Sequence, residues 1–499
     1  MTAWWAAGPT MAPEHRLHPA SALFRFGHLL KDFAFLALPL LVAGRSMAMD
    51  LLAVAVMGVL VLPAVIGAII TYATFRYRYE ADEFVVRSGL IFRNERHIPY
   101  ARIHNIDAVQ NPIHRLFRVA MIRIETGSGI EAEATLAAVP VAAIADMRRR
   151  MFEGRGAPIA AEEAEQYASP VLLKLGVADA FVAGFLLNRG YLIIAAAIGL
   201  VFELGPDDMV RIVGESQPGR AATAAVQETI AASGSVAGTT VALTVAGIVL
   251  LMIAIRLVAA LVLASRLHGF VLSRSGADLR TESGLFTRVT RTVVLGRIQR
   301  VIVHESFLHR RLGRASIQVV TMGHSVTSRS EIAWLAPLVR ADEIDALVAL
   351  VPGLATHAFA WNPPHPSITG RKLRGALIGA ALGALPVGLL AGPSWGIAVL
   401  LLLGGWMSLA AWLYARNIAW AEGDGVVAAR AGWMRRKTVI AVASRVHTAA
   451  TWTSPFDRRA GTAVLTADTP GHGVPLQMRY LPIDIANRLH ATIVARAGR

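Results

Sequence analysis

The chain has 499 residues, 55% of them hydrophobic, with a mean hydropathy of +0.50, too apolar for an ordinary soluble globule of this length. Its 49 Lys and Arg against 34 Asp and Glu give a net charge of +15, with lysine only at Lys31, Lys174, Lys372 and Lys437; in a membrane protein such a surplus marks the cytoplasmic face, which makes nucleic acid the lesser candidate partner. The absence of cysteine excludes a disulfide framework, thiolate metal sites and a cysteine nucleophile.

Residues 1–75 form an N-terminal segment and a first membrane hairpin. Met1–Lys31 has no apolar core ending in a small-residue cleavage site, so it does not read as a removable signal. The hairpin is predicted from Phe33–Gly44, continued to Met49, and from Leu51–Phe75, since a span needs about 20 residues. A polar region follows at 76–152 and a linker at 153–170. The second hairpin, 171–265, is expected from Tyr191–Leu204, extended upstream through Phe181–Gly190, and from Val236–Ile255, with Arg256 near a membrane face. A second polar region covers 266–352 and a linker 353–370. The third hairpin, 371–415, contains Gly375–Gly392 and Trp395–Ala415, and a last polar region covers 416–499. Six spans in three hairpins result.

Charge orients them. The loop from Glu203 to Ser235 carries Glu203, Asp207, Asp208, Glu215 and Glu228 against Arg211 and Arg220, while the opposite ends are basic at Arg76–Tyr79, Ser265–Arg266 and Arg371–Arg374. Both termini and all three polar regions are therefore expected in the cytoplasm.

The polar regions repeat. SGLIFRNERHIPYARIHNIDAVQNPIHRLFRVAMIRIETG begins at Ser88, and related stretches begin at Ser283 and Ala431; constant offsets of 195 and 343 align Gly89, Gly284 and Gly432, then Arg102, Arg297 and Arg445, without a gap. The same offsets align the corners QNPIHR, ESFLHR and TSPFDR. Each copy reads as short strands followed by one amphipathic helix, at 139–152, 338–351 and 481–497; in the last, Ile485, Leu489 and Ile493 share a face. The predicted fold is thus a small β-barrel or sandwich closed by a C-terminal helix, three times over.

The corner has two readings. In one, Pro112 or Pro455 starts a one-turn helix, Ile113, Leu308 or Phe456 plugs the core, and Arg115, Arg310 and Arg458 are solvated or paired locally. In the other, the basic corner touches lipid or a partner. The third copy departs most, with Asp457 in place of the corner histidine and Ala431 in place of the serine before glycine.

The order of hairpin, SGL with a basic turn, R-I, corner, V-x-I-x-T-G-like strand and terminal helix resembles the bacterial pleckstrin-homology-like (PH-like) membrane proteins of the YdbS/YdbT type, in the longer YdbT-like form. RLHPAS at Arg16–Ser21 is similar to that family's start. The resemblance implies PH-like domains hung from membrane hairpins, residence in the bacterial inner membrane, and a hetero-oligomer with a shorter YdbS-like protein. It also directs attention to the basic turn, where Arg93, Arg96, Arg288, Arg291, Arg435, Arg436 and Lys437 become candidates for contact with headgroups or partners.

Enzymatic motifs fail on context. GPSWG at Gly392–Gly396 matches a nucleophile elbow but falls at a hairpin tip. HESFLH at His304–His309 has one residue too many for a helical zinc pair, and SGSV and TGSG lack the lysine of a phosphate loop. No catalytic, metal or cofactor residue is assigned. Gly375, Gly379 and Gly383 place small residues on one face for close helix packing. The expected function is a non-enzymatic membrane scaffold or envelope-protection protein; the alternative is a component of a transporter or export complex, for which a mid-membrane pair between Arg256 and a carboxylate would be the sign.

Overall fold

The computed structural model describes residues 13–21, 62, 66–67, 69–70, 72–90, 93–126, 134–144, 147, 170–187, 236–275, 278–321, 334–354, 359–423, 425–470 and 475–497. Two units separate, Leu175–Phe270 and the remainder.

In the larger unit the first repeat supplies β1 (His15–Arg16), β2 (Arg76–Tyr79), β3 (Glu83–Ser88), β4 (Asn94–Pro99) and β5 (Ile103–Gln110), then a corner helix α1 (Pro112–Leu116), β6 (Val119–Thr126) and β7 (Ala134–Pro140). β8 (Val171–Lys174) precedes the smaller unit, whose helices are α2 (Val177–Leu187) and α3 (Val236–Leu267). The second repeat continues as β9 (Val271–Ser275), β10 (Asp278–Ser283), β11 (Arg288–Val293), β12 (Ile298–Ser306), α4 (Phe307–Arg311), β13 (Arg314–Thr321), β14 (Trp334–Arg340) and α5 (Ile344–Val348). After the helices α6 (Ser367–Ala391) and α7 (Pro393–Arg416), the third repeat runs β15 (Ala419–Gly423), β16 (Val426–Ala431), β17 (Arg435–Val442), β18 (Thr448–Trp452), α8 (Pro455–Ala460), β19 (Thr462–Asp468), β20 (Leu476–Pro482) and α9 (Ile483–Ala497).

The strands do not close into barrels. Among the described residues their orders are β1-β2-β3-β4, β7-β6-β5-β11-β10-β9-β8, β14-β13-β12-β17-β16-β15 and β18-β19-β20, four open sheets. The expected barrel is corrected accordingly: the edge that would close on its own domain pairs with the neighbouring repeat. β11 lies antiparallel to β5 with Arg288 opposite Gln110, and β17 antiparallel to β12 with Arg436 opposite Glu305. Adding 195 to Gln110 gives Glu305, and adding 148 to Arg288 gives Arg436, so both junctions use one register. A junction strand is covered on both faces and reads accordingly: Ile298–Val303 of β12 is buried without alternation, the pattern of a strand with no wet side.

The repeated glycine is fixed by geometry. Gly89, Gly284 and Gly432 have φ of 99°, 117° and 99°, and a Cβ on Gly284 or Gly432 would stand 1.9 Å or 2.3 Å from the carbonyl oxygen of Thr287 or Arg435. Only glycine fits such a turn.

The first repeat's core packs Phe84, Ile98, Ile106, Ile122, Leu136 and Met147 between its two strand groups. The third repeat's core packs Val427, Leu465, Met478 and Leu481 with the helix residues Ala486, Leu489 and Ile493, and takes Ile302 and Val320 from the second repeat. The closing helix is long in the third repeat. In the second it is the turn Ala341–Glu343 and α5, and in the first, residues 141–144 and 147 are helical.

Among the described residues three segments are long and apolar enough to cross a membrane: Leu250–Leu267 within α3, then α6 and α7. The spans expected at 33–49 and 191–204, and most of 51–75, lie outside the described residues. α6 and α7 meet through small residues: Ala376, Ala380 and Ala384 are buried on one helix and Gly396 and Gly404 on the other. A Cβ on Gly396 would stand 2.7 Å from the Gly388 Cα. The face that packs the hairpin on itself is therefore the alanine row one position on from the expected Gly375, Gly379 and Gly383, of which Gly375 and Gly383 are exposed. GPSWG is the turn, with Gly392 at φ 103° and Pro393 opening α7.

Candidate functional site

The seven basic candidates fall into two environments. Arg93 precedes β4, Arg96 lies within it, and both are exposed; β4 is the end strand of its sheet, without a strand partner on its outer side among the described residues. The other five belong to strands docked on the preceding repeat. Arg288 is exposed and pairs with Glu282. Arg291 is half-buried, 3.6 Å from Asp107 of the first repeat. Arg435 and Lys437 stand opposite Ser306 and His304. Arg436 reaches Glu305 with both ends of its fork, Nε at 2.9 Å and Nη2 at 2.5 Å, a planar two-point pairing that lysine could not make.

Arginines not singled out for contact complete each junction. Arg297 donates to the carbonyl of Ile103 at 3.3 Å, and Arg445 donates to that of Ile298, the equivalent residue one repeat on. The corner arginines reach forward: Arg115 donates to the Gly284 carbonyl at 3.3 Å, and Arg310 to the Trp433 carbonyl. Arg115 and Arg310 are therefore neither merely solvated nor locally paired; they join one repeat to the next. The signal was in the sequence as arginines recurring at constant offsets.

The corner also reverses the expected polarity. Ile113, Leu308 and Phe456 do not plug the core; they are 48%, 40% and 67% exposed, while His114, His309 and Asp457 are 3%, 2% and 6% exposed. Capping explains the inversion. Asn111, Ser306 and Ser454 each accept from the backbone N–H three residues on, that of His114, His309 and Asp457, the N-cap geometry of a short helix. That spacing turns the third helical residue inward and the apolar residue before it outward.

His309 sits between two hydroxyls, with Nδ1 2.7 Å from Ser306 Oγ and Nε2 3.0 Å from Ser316 Oγ, and burial pushes its pKa down to about 4. The serine–histidine contact is the capping box of the short helix α4. Asp457 is pushed up by burial but held down by its partners to about 2. Ser454 N–H at 3.0 Å and Oγ at 2.5 Å, Thr462 Oγ1 at 3.1 Å and Arg371 Nη1 at 2.6 Å all bond it. Arg371 belongs to α6, so the third corner is tied to a helix long and apolar enough to cross a membrane.

Among the described residues no group of three or more His, Cys, Asp or Glu side chains is placed to hold a metal. A cleft beside α9 is lined by Glu422, Val427, Leu489, Thr492 and Arg496; there the Thr492 hydroxyl donates to the Arg488 carbonyl and Glu422 pairs with the Arg488 side chain. In the smaller unit Arg256 donates to the Phe185 carbonyl at 3.1 Å and lies over that residue's ring.

The sequence model of the family described as Bacterial PH domain (bPH_2) matches residues 33–155, 229–351 and 376–497. A curated relative is the UPF0699 transmembrane protein YdbT of Bacillus subtilis (strain 168), 28% identical over 148 residues, which are 29% of this chain and 30% of that protein. The matched stretch thus spans under a third of the relative's length. No solved structure matches. Three matches in the order and spacing of the three repeats, beside apolar helices of membrane length, place the chain in the bacterial PH domain family, as a YdbT-like membrane protein with three PH-like domains.

Proposed function

We propose that the chain is a non-enzymatic scaffold or envelope-protection protein of the bacterial inner membrane, with its PH-like domains and both termini in the cytoplasm, that binds partner proteins, peptides or anionic headgroups. The observation that carries this reading is the strand order. Two junctions of identical register fuse the repeats, which leaves β4 and β18 as end strands without a strand partner on their outer sides among the described residues. An open strand edge is a ready surface for adding another chain's strand. Arg93 and Arg96 are the exposed candidates at the β4 end, whereas Arg288, Arg291, Arg435, Arg436 and Lys437 contribute to the repeat junctions or flank them. A shorter YdbS-like protein is the partner this reading favours. The orientation rests on the basic ends of α6 and α7, Arg371, Lys372, Arg374 and Arg416.

Affinity purification of the chain from gently solubilised membranes, with identification of co-purifying proteins and lipids, tests the proposal. A stoichiometric protein partner lost on charge reversal at Arg93 and Arg96 is the expected result. Recovery of bulk lipid alone defeats the scaffold reading.

A further inference from the structure

The inverted corners carry more than a packing detail. At each one a polar residue is buried and an apolar residue faces out, the opposite of what a wet surface selects. Leu116 and Leu312 extend the exposed apolar tips of the first two corners, at 79% and 56%. The glycine turns repeat the pattern, with Leu90 60%, Phe286 63% and Met434 52% exposed.

Corner and turn adjoin across each junction. Arg115 donates to the Gly284 carbonyl at 3.3 Å, and the Phe307 N–H to the Met434 carbonyl at 2.7 Å, so the tips of one corner stand beside those of the next turn. At the third repeat both features meet the membrane hairpin. Asp457 pairs with Arg371 of α6 at 2.6 Å, and the Trp433 ring lies 6.1 Å from that of Trp406 in α7. Trp406 precedes Arg416 by ten residues, about 15 Å along a helix. The turn therefore lies alongside the apolar length of α7, past its basic end, where Arg416 stacks on Trp412 and Lys372 on Tyr414, the residue types of a membrane interface.

We propose that the corner helices and glycine turns of the three repeats form one strip seated on the bilayer, with apolar tips among the headgroups and outer acyl carbons and arginines at phosphate level. The occupant is lipid because the strip continues from a spanning hairpin and because cations interleave its apolar tips. Exposed Arg93, Arg115, Arg311, Arg435 and Arg458 match an anionic leaflet, and an apolar face flanked by arginine is the composition of an interfacial element. The proposal goes beyond the scaffold reading and does not need a protein partner.

The chain lacks cysteine, so single-cysteine labelling of the full-length protein is direct. Leu116→Cys, Phe286→Cys and Phe456→Cys probe the strip. Arg496→Cys is the control: the Ile483 N–H at the start of α9 bonds the Gly461 carbonyl at the third corner, and Arg496 lies about 20 Å further along that helix. Each variant is labelled with an environment-sensitive fluorophore and reconstituted into phosphatidylcholine–phosphatidylglycerol vesicles. The expected result is several-fold stronger quenching by doxyl-labelled lipid at the three strip positions than at the control, with the reverse order for aqueous iodide. Iodide access equal to the control at the strip overturns the proposal. So does lipid quenching confined to Phe456→Cys, which would leave the first two repeats off the bilayer, and so does shielding from both quenchers, which would mean that protein covers the strip. The vesicles contain no partner protein, so failure here is separate from failure of the purification experiment.

Discussion

Arg436 of the third repeat grips Glu305 of the second with both ends of its guanidinium, and the side chains are 23% and 13% exposed. At the first junction the same register places Arg288 opposite Gln110, and the charge pair moves to Arg291 and Asp107. The two junctions thus place these pairs at different steps of the ladder, and the second adds Arg300 Nη1, 3.1 Å from Asp468 Oδ1 of the third repeat.

Arg436→Ala leaves Glu305 half-buried without its cation, and a charge-assisted hydrogen bond of that kind contributes about 1.5–3 kcal/mol. Amide exchange in β17 is expected to speed up by roughly ten- to hundredfold, since 1.4 kcal/mol is tenfold. Glu305→Gln, which copies Gln110, retains a hydrogen bond and is expected to cost less. Unaltered exchange in β17 of the Arg436→Ala chain would show that the backbone ladder alone holds the junction.

A smaller change should stabilise the first corner. After each corner helix the chain takes a left-handed residue: Arg118 at φ 51°, Gly313 at 62° and Gly461 at 64°. Each has the same backbone task, its carbonyl accepting from Val141, Ala341 or Ile483 respectively. The second and third copies use glycine, which meets this conformation without strain, whereas a side chain there costs about 1–2 kcal/mol. Arg118→Gly is expected to recover about 1 kcal/mol after the entropy cost of glycine in the unfolded chain. Slower exchange of the β6 amides is the readout; faster exchange would mean that the Arg118 side chain contributes contacts that outweigh its backbone strain.

The buried corner groups predict two separate acid transitions. His309 has its pKa lowered to about 4 from 6.5 by burial first, then by the charge of His304. The unfolded chain therefore binds the extra proton between these values, so stability is full above pH 6.5 and falls as pH drops toward 4. Asp457, lowered to about 2 from 3.8 by its hydrogen bonds against the opposing effect of burial, keeps its contribution down to pH 3.8 and loses it toward 2. The second corner is thus expected to open first on acidification, with a loss on the order of 3 kcal/mol. Exchange measured at pH 7 and pH 5 on α4 and α8 checks this: α4 weakens and α8 does not. His309→Gln should flatten the α4 response.

The repeats, their glycines and the apolar helix pair α6 and α7 were legible because local rules fix them: a constant offset, a positive φ and an apolar run of span length. The junctions were not. β5 and β12 accept strands from a different repeat, and no local pattern names a strand's partner, so the same hydrophobic string fits a closed barrel or an open row. The corner was misread for a related reason. Ile113, Leu308 and Phe456 look like core by type, but the serine or asparagine cap sets the helix phase and turns His114, His309 and Asp457 inward. A capping residue three positions before the histidine or aspartate carries the helix phase, which apolar identity alone does not.

The exchange of histidine for aspartate in the third corner follows from Arg371, which enters from α6 and bonds Asp457 Oδ1 at 2.6 Å and Thr462 Oγ1 at 3.3 Å. A histidine at this place would leave that arginine facing a neutral ring. Asp457→His is therefore expected to destabilise the corner by about 1.5–3 kcal/mol, the range for a lost charged hydrogen bond, although the same residue type serves at His114 and His309. Adding Arg371→Met removes the stranded cation and should recover much of the loss, so the two substitutions are expected to be non-additive by 1 kcal/mol or so. A double-mutant cycle on the exchange of α8 amides measures the coupling. If Asp457→His alone proved as stable as the double variant, Arg371 would not be what selects aspartate.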